Sequence, residues 1–163
     1  MINDIHSLAR QFVQLHGASL GHGTKHSEFT EHNRISQMNY EIAKFFELYP
    51  GAASDEGYRE FLDYYGGGLI RRDNLLLHIW GPDEEFSAEL RWEDVLFDSA
   101  HYCPFCCIKG SDFGRIDYGF SKNQTGVFQA IEQSTHEIKI IRYCNSFSEW
   151  LGFVVTDVNQ VLR

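Results

Sequence analysis

Hydrophobic positions along this chain follow two periods, one of three to four residues and one of two, and each change of period marks a new element. Apolar residues at helical spacing indicate one buried face of a helix over residues 3–16, which Asn3 or Asp4 can cap. The same spacing predicts a second helix over residues 35–48. Between them, residues 17–30 are rich in glycine and histidine, and we interpret them as a loop.

A third helix is predicted to end at three successive glycines, Gly66, Gly67 and Gly68. Its buried positions recur at helical spacing: Tyr58, Phe61, Leu62 and Tyr65. Ser54 is a suitable N-cap, and glycine allows the left-handed conformation in which helices commonly end. The apolar run that follows, residues 75–80, is closed by Gly81-Pro82. It predicts a mostly buried strand, with Trp80 in the core.

Four further strand-like runs follow, separated by turn residues: 105–108, 115–120, 126–131 and 137–143. Closely spaced strands of this kind most readily form an antiparallel meander. In the second run Ile116, Tyr118 and Phe120 alternate with Arg115, Asp117 and Gly119. This alternation predicts that one face of the sheet is exposed to solvent.

The last helix opens with a capping box, Ser146 with Glu149, and its spacing buries Phe147 and Trp150. Helices at both ends of the chain, with strands between them, predict an α+β fold. We expect a single domain over residues 1–163, with a mainly antiparallel sheet of about five to six strands packed against the N-terminal and C-terminal helices. Residues 1–34 would form the N-terminal helix and the histidine- and glycine-rich loop, and residues 35–163 the core.

The order of these motifs resembles the SUKH superfamily, over roughly residues 40–155. The resemblance rests on Tyr58 to Leu62, Tyr65 to Gly68, Phe113-Gly114, Tyr118-Gly119-Phe120, Gly126 to Phe128, and Asn145 to Leu151. That superfamily includes fungal cell-wall assembly regulators and bacterial toxin-immunity proteins. The resemblance implies a sheet packed on helices, with the sheet surface and its rim as the side that binds a partner protein.

Negative charge is concentrated in one segment of a chain whose net charge is -9. Residues 83–98 contain seven acids and a single arginine. Together with Trp92, these acids are the candidate partner-binding residues: Asp83, Glu84, Glu85, Glu89, Glu93, Asp94 and Asp98. The segment disfavours binding to nucleic acid, and it favours a basic partner through electrostatic steering. The alternative is a solvated acidic loop with Trp92 packed beneath it.

The best candidate for metal or thiol chemistry is Cys103-Pro104-Phe105-Cys106, followed by Cys107. With His101, His136 or Cys144 these thiols could bind zinc, but a structural zinc site normally shows a second ligand pair. The motif also enters a strand, whereas redox C-x-x-C motifs begin a helix. We therefore expect buried, structural cysteines. The loop histidines His16, His22, His26 and His32 are expected to lie on the surface without a metal.

Composition narrows the class of protein further. The chain is 43% hydrophobic and 15% aromatic, which predicts a packed globular domain rather than a disordered one. It has no run of 18 apolar residues and no signal-peptide pattern, so we expect a cytoplasmic protein. Phosphate-binding loops and the common hydrolase motifs are also missing from the sequence. We expect no enzymatic activity and no cofactor.

Together, the resemblance and the acidity predict an immunity protein that neutralises a basic, nuclease-type toxin. Two alternatives stay open. One is a regulatory scaffold that binds a host protein, as the fungal members of the superfamily do. The other is a zinc- or thiol-dependent enzyme at Cys103 to Cys107. The oligomeric state is not predicted from the sequence.

Overall fold

The computed structural model describes residues 4–21, 50–72, 74–81, 95–98, 100–111 and 114–162. In this part of the chain, seven antiparallel strands form one sheet, and their order in the sheet is their order in the sequence. They are β1 (Ser19–Leu20), β2 (Gly68–Arg72), β3 (Leu75–Ile79), β4 (Tyr102–Gly110), β5 (Gly114–Ser121), β6 (Val127–Glu132) and β7 (Ile138–Cys144). Each strand pairs with its neighbours in sequence, so β1 and β7 form the two edges. The predicted α+β class and antiparallel sheet are confirmed, with slightly more strands than expected.

The additional strands lie at one edge of the sheet. β1 falls in the segment interpreted as a loop, and β2 begins at Gly68, the last of the three helix-ending glycines. Two-residue β1 is too short to show a period, and the apolar part of β2 is only Leu69-Ile70 before Arg71-Arg72. The predicted second helix, residues 35–48, lies outside the described residues.

Helices cover one face of the sheet: α1 (Ile5–His16), α2 (Pro50–Ala53), α3 (Glu56–Tyr65), α4 (Phe147–Thr156) and a 3-10 helix (Val158–Leu162). Asp4 caps α1, and Ser146 caps α4 by accepting from the backbone N–H of Glu149, as predicted. The predicted Ser54 cap of α3 is wrong. Asp55 is the cap, and it accepts from the backbone N–H of Tyr58 at 2.9 Å. None of the helices in the described ranges is long and apolar enough to cross a membrane.

The core between helices and sheet is built around Phe147 at the start of α4. Its ring centroid lies 5.2 Å from that of Tyr58, 5.3 Å from that of Phe105 and 5.7 Å from that of Trp150. All four side chains are at most 2% exposed. Offset and edge-to-face aromatic pairs at such separations add to the stabilisation from burial alone. The predicted burial of Phe147 and Trp150 is confirmed.

The glycine turn between α3 and β2 allows two backbone segments to touch. Gly66 ends α3 in the left-handed conformation with φ 63°, and Gly67 follows with φ 139°. A Cβ atom on Gly81, just after β3, would overlap the carbonyl group of Gly66. The predicted left-handed helix end is therefore confirmed at Gly66, and Gly67 also has a positive φ, whereas Gly68 already belongs to β2. Trp80, beside Gly81, is only half-buried, which corrects the prediction that it lies in the core.

Candidate partner-binding surfaces

The acidic segment enters the described structure only at its C-terminal end. Asp83, Glu84, Glu85, Glu89, Trp92, Glu93 and Asp94 lie outside the described residues, as does Phe113 of the family motif. Asp98 is described, and its side chain is 56% exposed. Its carboxylate accepts from the backbone N–H groups of Ala100 and His101, at 3.0 and 3.1 Å. Asp98 therefore closes the turn before β4, while part of its surface faces solvent.

The residues just before Asp98 lie on the face of the sheet opposite the helices, called here the outer face. Phe97 is 3% exposed and packs against Phe128 of β6 and Tyr102 of β4. The ring centroids of Phe97 and Tyr102 are 5.1 Å apart. This small apolar cluster fixes the C-terminal end of the acidic segment over the middle of the sheet.

A buried carboxylate completes this attachment. Asp117 of β5 is fully buried, and it accepts from the backbone N–H of Leu96 at 2.8 Å and from Arg115 Nε at 2.8 Å. Burial raises the pKa of Asp117, and the hydrogen bond from Arg115 opposes that rise. The predicted exposure of this face is therefore wrong around Asp117 and Gly119, because residues 95–97 cover it. Alternation along β5 does not reveal a cover that comes from elsewhere in the chain.

Strand β7 is one edge of the sheet, and within the described residues it pairs only with β6, so we call its other side the open side. Its Ile138 and Ile141 side chains are each 40% exposed. Cross-strand pairing places Ile138 opposite Glu132 and Ile141 opposite Gln129, so the two isoleucines project from opposite faces of the sheet. An edge strand with exposed apolar side chains can pair with another chain.

The β7 edge is continuous with the outer-face cluster. Ile140 of β7 faces Ala130 of β6 and packs against the cluster formed around Phe97 and Phe128. A partner lying along β7 would therefore also lie close to the attached end of the acidic segment. Two candidate surfaces thus meet at Ile140.

Basic side chains flank the exposed isoleucines on β7. Lys139 and Arg142 are both exposed, and β7 contains no acidic residue. Arg142 donates from Nε to the carbonyl of Thr125 at 3.1 Å and from Nη1 to Asn145 Oδ1 at 2.8 Å. Both acceptors are neutral, so neither bond compensates the charge of the guanidinium group.

The cysteine motif lies inside β4. Cys103, Cys106, Cys107 and Cys144 are free and buried. Burial raises the pKa of the Cys103, Cys106 and Cys107 thiols, and it raises that of Cys144 to about 12. The thiolate is the reactive and metal-binding form, so these environments disfavour both kinds of chemistry. Within the described ranges, no group of three histidine, cysteine, aspartate or glutamate side chains could hold a metal ion.

The loop histidines are only partly described. His16 closes α1, where its Nε2 lies 3.0 Å from the carbonyl oxygen of Val155 and its own carbonyl accepts from Arg72. This contact joins α1 to α4 and gives His16 a structural position. His22, His26 and His32 lie outside the described residues.

A polar cavity of about 430 Å³ lies where α3 and α4 begin. Asp55 lines it, and its carboxylate accepts from one backbone N–H in the first turn of each helix: that of Tyr58 in α3 at 2.9 Å and that of Phe147 in α4 at 2.8 Å. Gly57 approaches Ser148 so closely that a Cβ atom would overlap the serine side chain. The backbone N–H groups of Tyr58 and Phe147 thus have an acceptor within the chain, and Asp55 has a structural role at this junction.

The sequence prediction did not single out the β7 edge as a candidate surface. A usable signal was present, because the last strand of a meander has a neighbour on one side only. In the run Ile138-Lys139-Ile140-Ile141-Arg142, apolar residues occupy both faces of such a strand. That pattern is unexpected for an edge whose faces are both accessible to solvent.

Comparison with known proteins does not identify the chain: no family model, no curated protein and no solved structure matches it. The resemblance to the SUKH superfamily therefore rests on the sequence motifs described above. Seven residues of these motifs lie at helix ends, strand starts or core contacts: Gly66, Gly67, Gly68, Gly114, Ser146, Phe147 and Trp150.

Proposed function

We propose that this chain is a non-enzymatic protein-binding module that neutralises a cognate toxin by covering it, in the manner of the immunity proteins of the SUKH superfamily. One observation carries the proposal: β7, which pairs on one side only within the described ranges, exposes Ile138 and Ile141 on the two faces of the sheet. Exposed apolar side chains on an unpaired strand edge are better suited to a partner protein than to a small molecule. A cytoplasmic location, which the proposal includes, fits such a role.

The acidic segment supports the choice of a basic partner. Its charge would speed association at low ionic strength, and this steering would weaken as salt screens it. Replacing two of its acids, Glu84→Gln with Glu85→Gln, should lower the association rate several-fold and leave unfolding free energy nearly unchanged. A binding rate indifferent to both salt and these changes would remove the acidic segment from the proposal and leave β7 in place.

The experiment that tests the proposal compares two matched double variants. Ile138→Thr with Ile141→Thr removes the apolar surface of β7 but keeps β-branched residues. Val13→Thr with Leu15→Thr removes exposed apolar surface from α1, where these side chains are 40% and 62% exposed. Partner captured from the native host by the wild-type chain should be lost by the β7 variant and retained by the α1 variant.

Function requires a second measurement on the captured partner. Expression of the partner alone should arrest growth, and co-expression of the wild-type chain, but not of the β7 variant, should restore it. A partner that binds through β7 but causes no toxicity would favour the regulatory-scaffold alternative. Equal capture by both double variants would mean that β7 is not the binding surface.

The enzyme alternative makes a different prediction. A zinc site at the cysteine motif would give purified protein with one zinc ion per chain, lost on Cys103→Ser. We propose instead that the protein needs no metal and that chelators leave its melting temperature unchanged.

A further inference from the structure

We propose that β7 binds its partner by strand addition, and that the added segment is an extended stretch of another protein with carboxylates beside apolar side chains. The inference rests on the proposed protein-binding function and specifies how the partner is held. It concerns the charge of the added segment only, so a partner that is basic overall can carry such a stretch. Three features of β7 support it: its backbone, its side chains and its charge.

The backbone of β7 presents hydrogen-bonding groups to the open side at alternate residues. At the turn before it, the backbone N–H of Gln133 donates to the carbonyl of Glu137 at 2.8 Å. In an antiparallel pair the hydrogen-bonded residues alternate, so Lys139 and Ile141 direct their backbone groups toward β6. The backbone groups of Ile138 and Ile140 are therefore directed away from β6, toward an added strand.

The side chains give such a strand apolar contacts on both faces of the sheet. Ile138 and Ile140 project on the outer face, and Ile141 projects on the helix side. An added segment would cover Ile138 and Ile141, the two exposed isoleucines. Main-chain hydrogen bonds supply affinity in this mode of binding, and alternate side chains supply specificity.

The positive charge of Lys139 and Arg142 indicates which kind of segment would pair with β7. Two antiparallel copies of β7 would bring four cationic side chains to one pair of strands, two on each face of the sheet, because each strand contributes Lys139 and Arg142 and neither contains an acid. Registers that set Lys139 opposite Lys139 or Arg142 opposite Arg142 are destabilised by like charge, and in no register does a second copy of β7 offer these cations a carboxylate from within the strand, so it is a poorer occupant than an acidic segment. Glu132, the acid on the adjoining strand, already lies 3.1 Å from His136 Nδ1. A segment with carboxylates near Lys139 and Arg142 compensates the charges that self-pairing would concentrate.

The test uses two synthetic peptides and the full chain. One peptide has the sequence of residues 137–144 with Cys144→Ser. The other also carries Lys139→Glu and Arg142→Glu, so it keeps the same apolar pattern with acidic residues in place of basic ones. At low ionic strength the acidic peptide should bind the protein at least about tenfold more tightly than the basic one, as measured by NMR titration. On binding, the amide protons of Ile138 and Ile140 should gain protection from exchange.

A charge swap on the protein serves as the control. The full-length variant with Lys139→Glu and Arg142→Glu should reverse the preference and bind the basic peptide more tightly. Equal affinity for the two peptides, protection confined to residues outside β7, or a wild-type chain that dimerises through β7 in sedimentation would each overturn the inference. The proposed function fails separately, if host partners are captured equally by the β7 and α1 double variants.

Discussion

The junction around Phe147 and the strand β7 are joined by only a few residues of chain, yet they are held in opposite ways. At the junction one aromatic ring contacts several others, and one carboxylate, that of Asp55, accepts from a backbone N–H of each of two helices. β7 has a neighbouring strand on one side within the described residues and carries exposed isoleucines. The comparison contrasts a densely packed helix side with an edge strand whose side chains are partly exposed, and our proposal assigns binding to that edge.

The largest effect on stability is expected at Phe147, where several aromatic rings meet. Phe147→Ala removes the ring that contacts Tyr58, Phe105 and Trp150, and the neighbouring elements cannot close the resulting space completely. We expect a loss of about 3–5 kcal/mol in unfolding free energy, measured by urea denaturation. A loss below about 1 kcal/mol would show that Phe147 is not the centre of the core.

A smaller but still large effect is expected where Gly81 contacts the glycine turn. Gly81→Ala places a methyl group on the carbonyl of Gly66, so backbone must move, and we expect a loss of about 2 kcal/mol or more. Gly17→Ala is the matched control. Gly17 has φ 66° with no atom near its Cβ position, so the substitution costs conformational strain alone, about 1 kcal/mol. Equal losses for the two variants would mean that the backbone contact at Gly81 relaxes freely.

The Asp55 carboxylate, which accepts from Tyr58 and Phe147, predicts how the unfolding free energy depends on pH. Burial raises the pKa of Asp55 from its ordinary value of 3.8, against the lowering effect of the backbone N–H groups it accepts from, first that of Phe147. Because the folded pKa is the higher one, the folded state keeps a proton that the unfolded state has lost. The contribution of this titration to stability is therefore complete below pH 3.8 and decreases as pH rises through the folded pKa.

Asp55→Asn removes this titration and keeps a residue that can cap a helix. The unfolding free energy of the wild type minus that of the variant should be larger at pH 3.5 than at pH 7. Only the wild type is stabilised when the Asp55 carboxyl takes up a proton. Urea denaturation at both pH values measures this difference. A difference that grows toward pH 7 would mean that the two helix ends stabilise the charged carboxylate more than burial destabilises it.

The helix side of the molecule was largely predictable from the sequence, and the reason is that its signals are local. The spacing of Tyr58, Phe61 and Leu62 gives a buried helix face, and Ser146 with Glu149 marks a helix start. Asp55 was missed as a cap because its neighbour Ser54 is an equally good cap by residue type. Its second role, accepting from Phe147, joins residues 92 positions apart in the chain.

The outer face was predicted less well because it depends on contacts between distant segments. Asp117 alternates with apolar residues as an exposed strand residue does, but residues 95–97 cover it and Leu96 donates to it. The charge of the acidic segment was evident in the sequence, whereas its attachment over β5 and β6 was not. The binding role that we propose for β7 also depends on sheet order, since the same sequence in a central strand would be interpreted as part of the core.

The smallest expected effect on stability is at β7, and it gives the most direct test of the difference between β7 and the junction around Phe147. Ile138→Thr with Ile141→Thr changes side chains that are already partly in water, and threonine is favoured in strands. We expect a loss of about 1 kcal/mol or less, measured by urea denaturation, alongside a loss of partner binding of at least about tenfold. Phe147→Ala should do the reverse: partner affinity per folded molecule should change little, although fewer molecules are folded. If the β7 variant loses as much unfolding free energy as Phe147→Ala, then Ile138 and Ile141 contribute to stability as strongly as the aromatic core does. These exposed isoleucines would then be structural, and the division between a stabilised helix side and an available edge would be wrong.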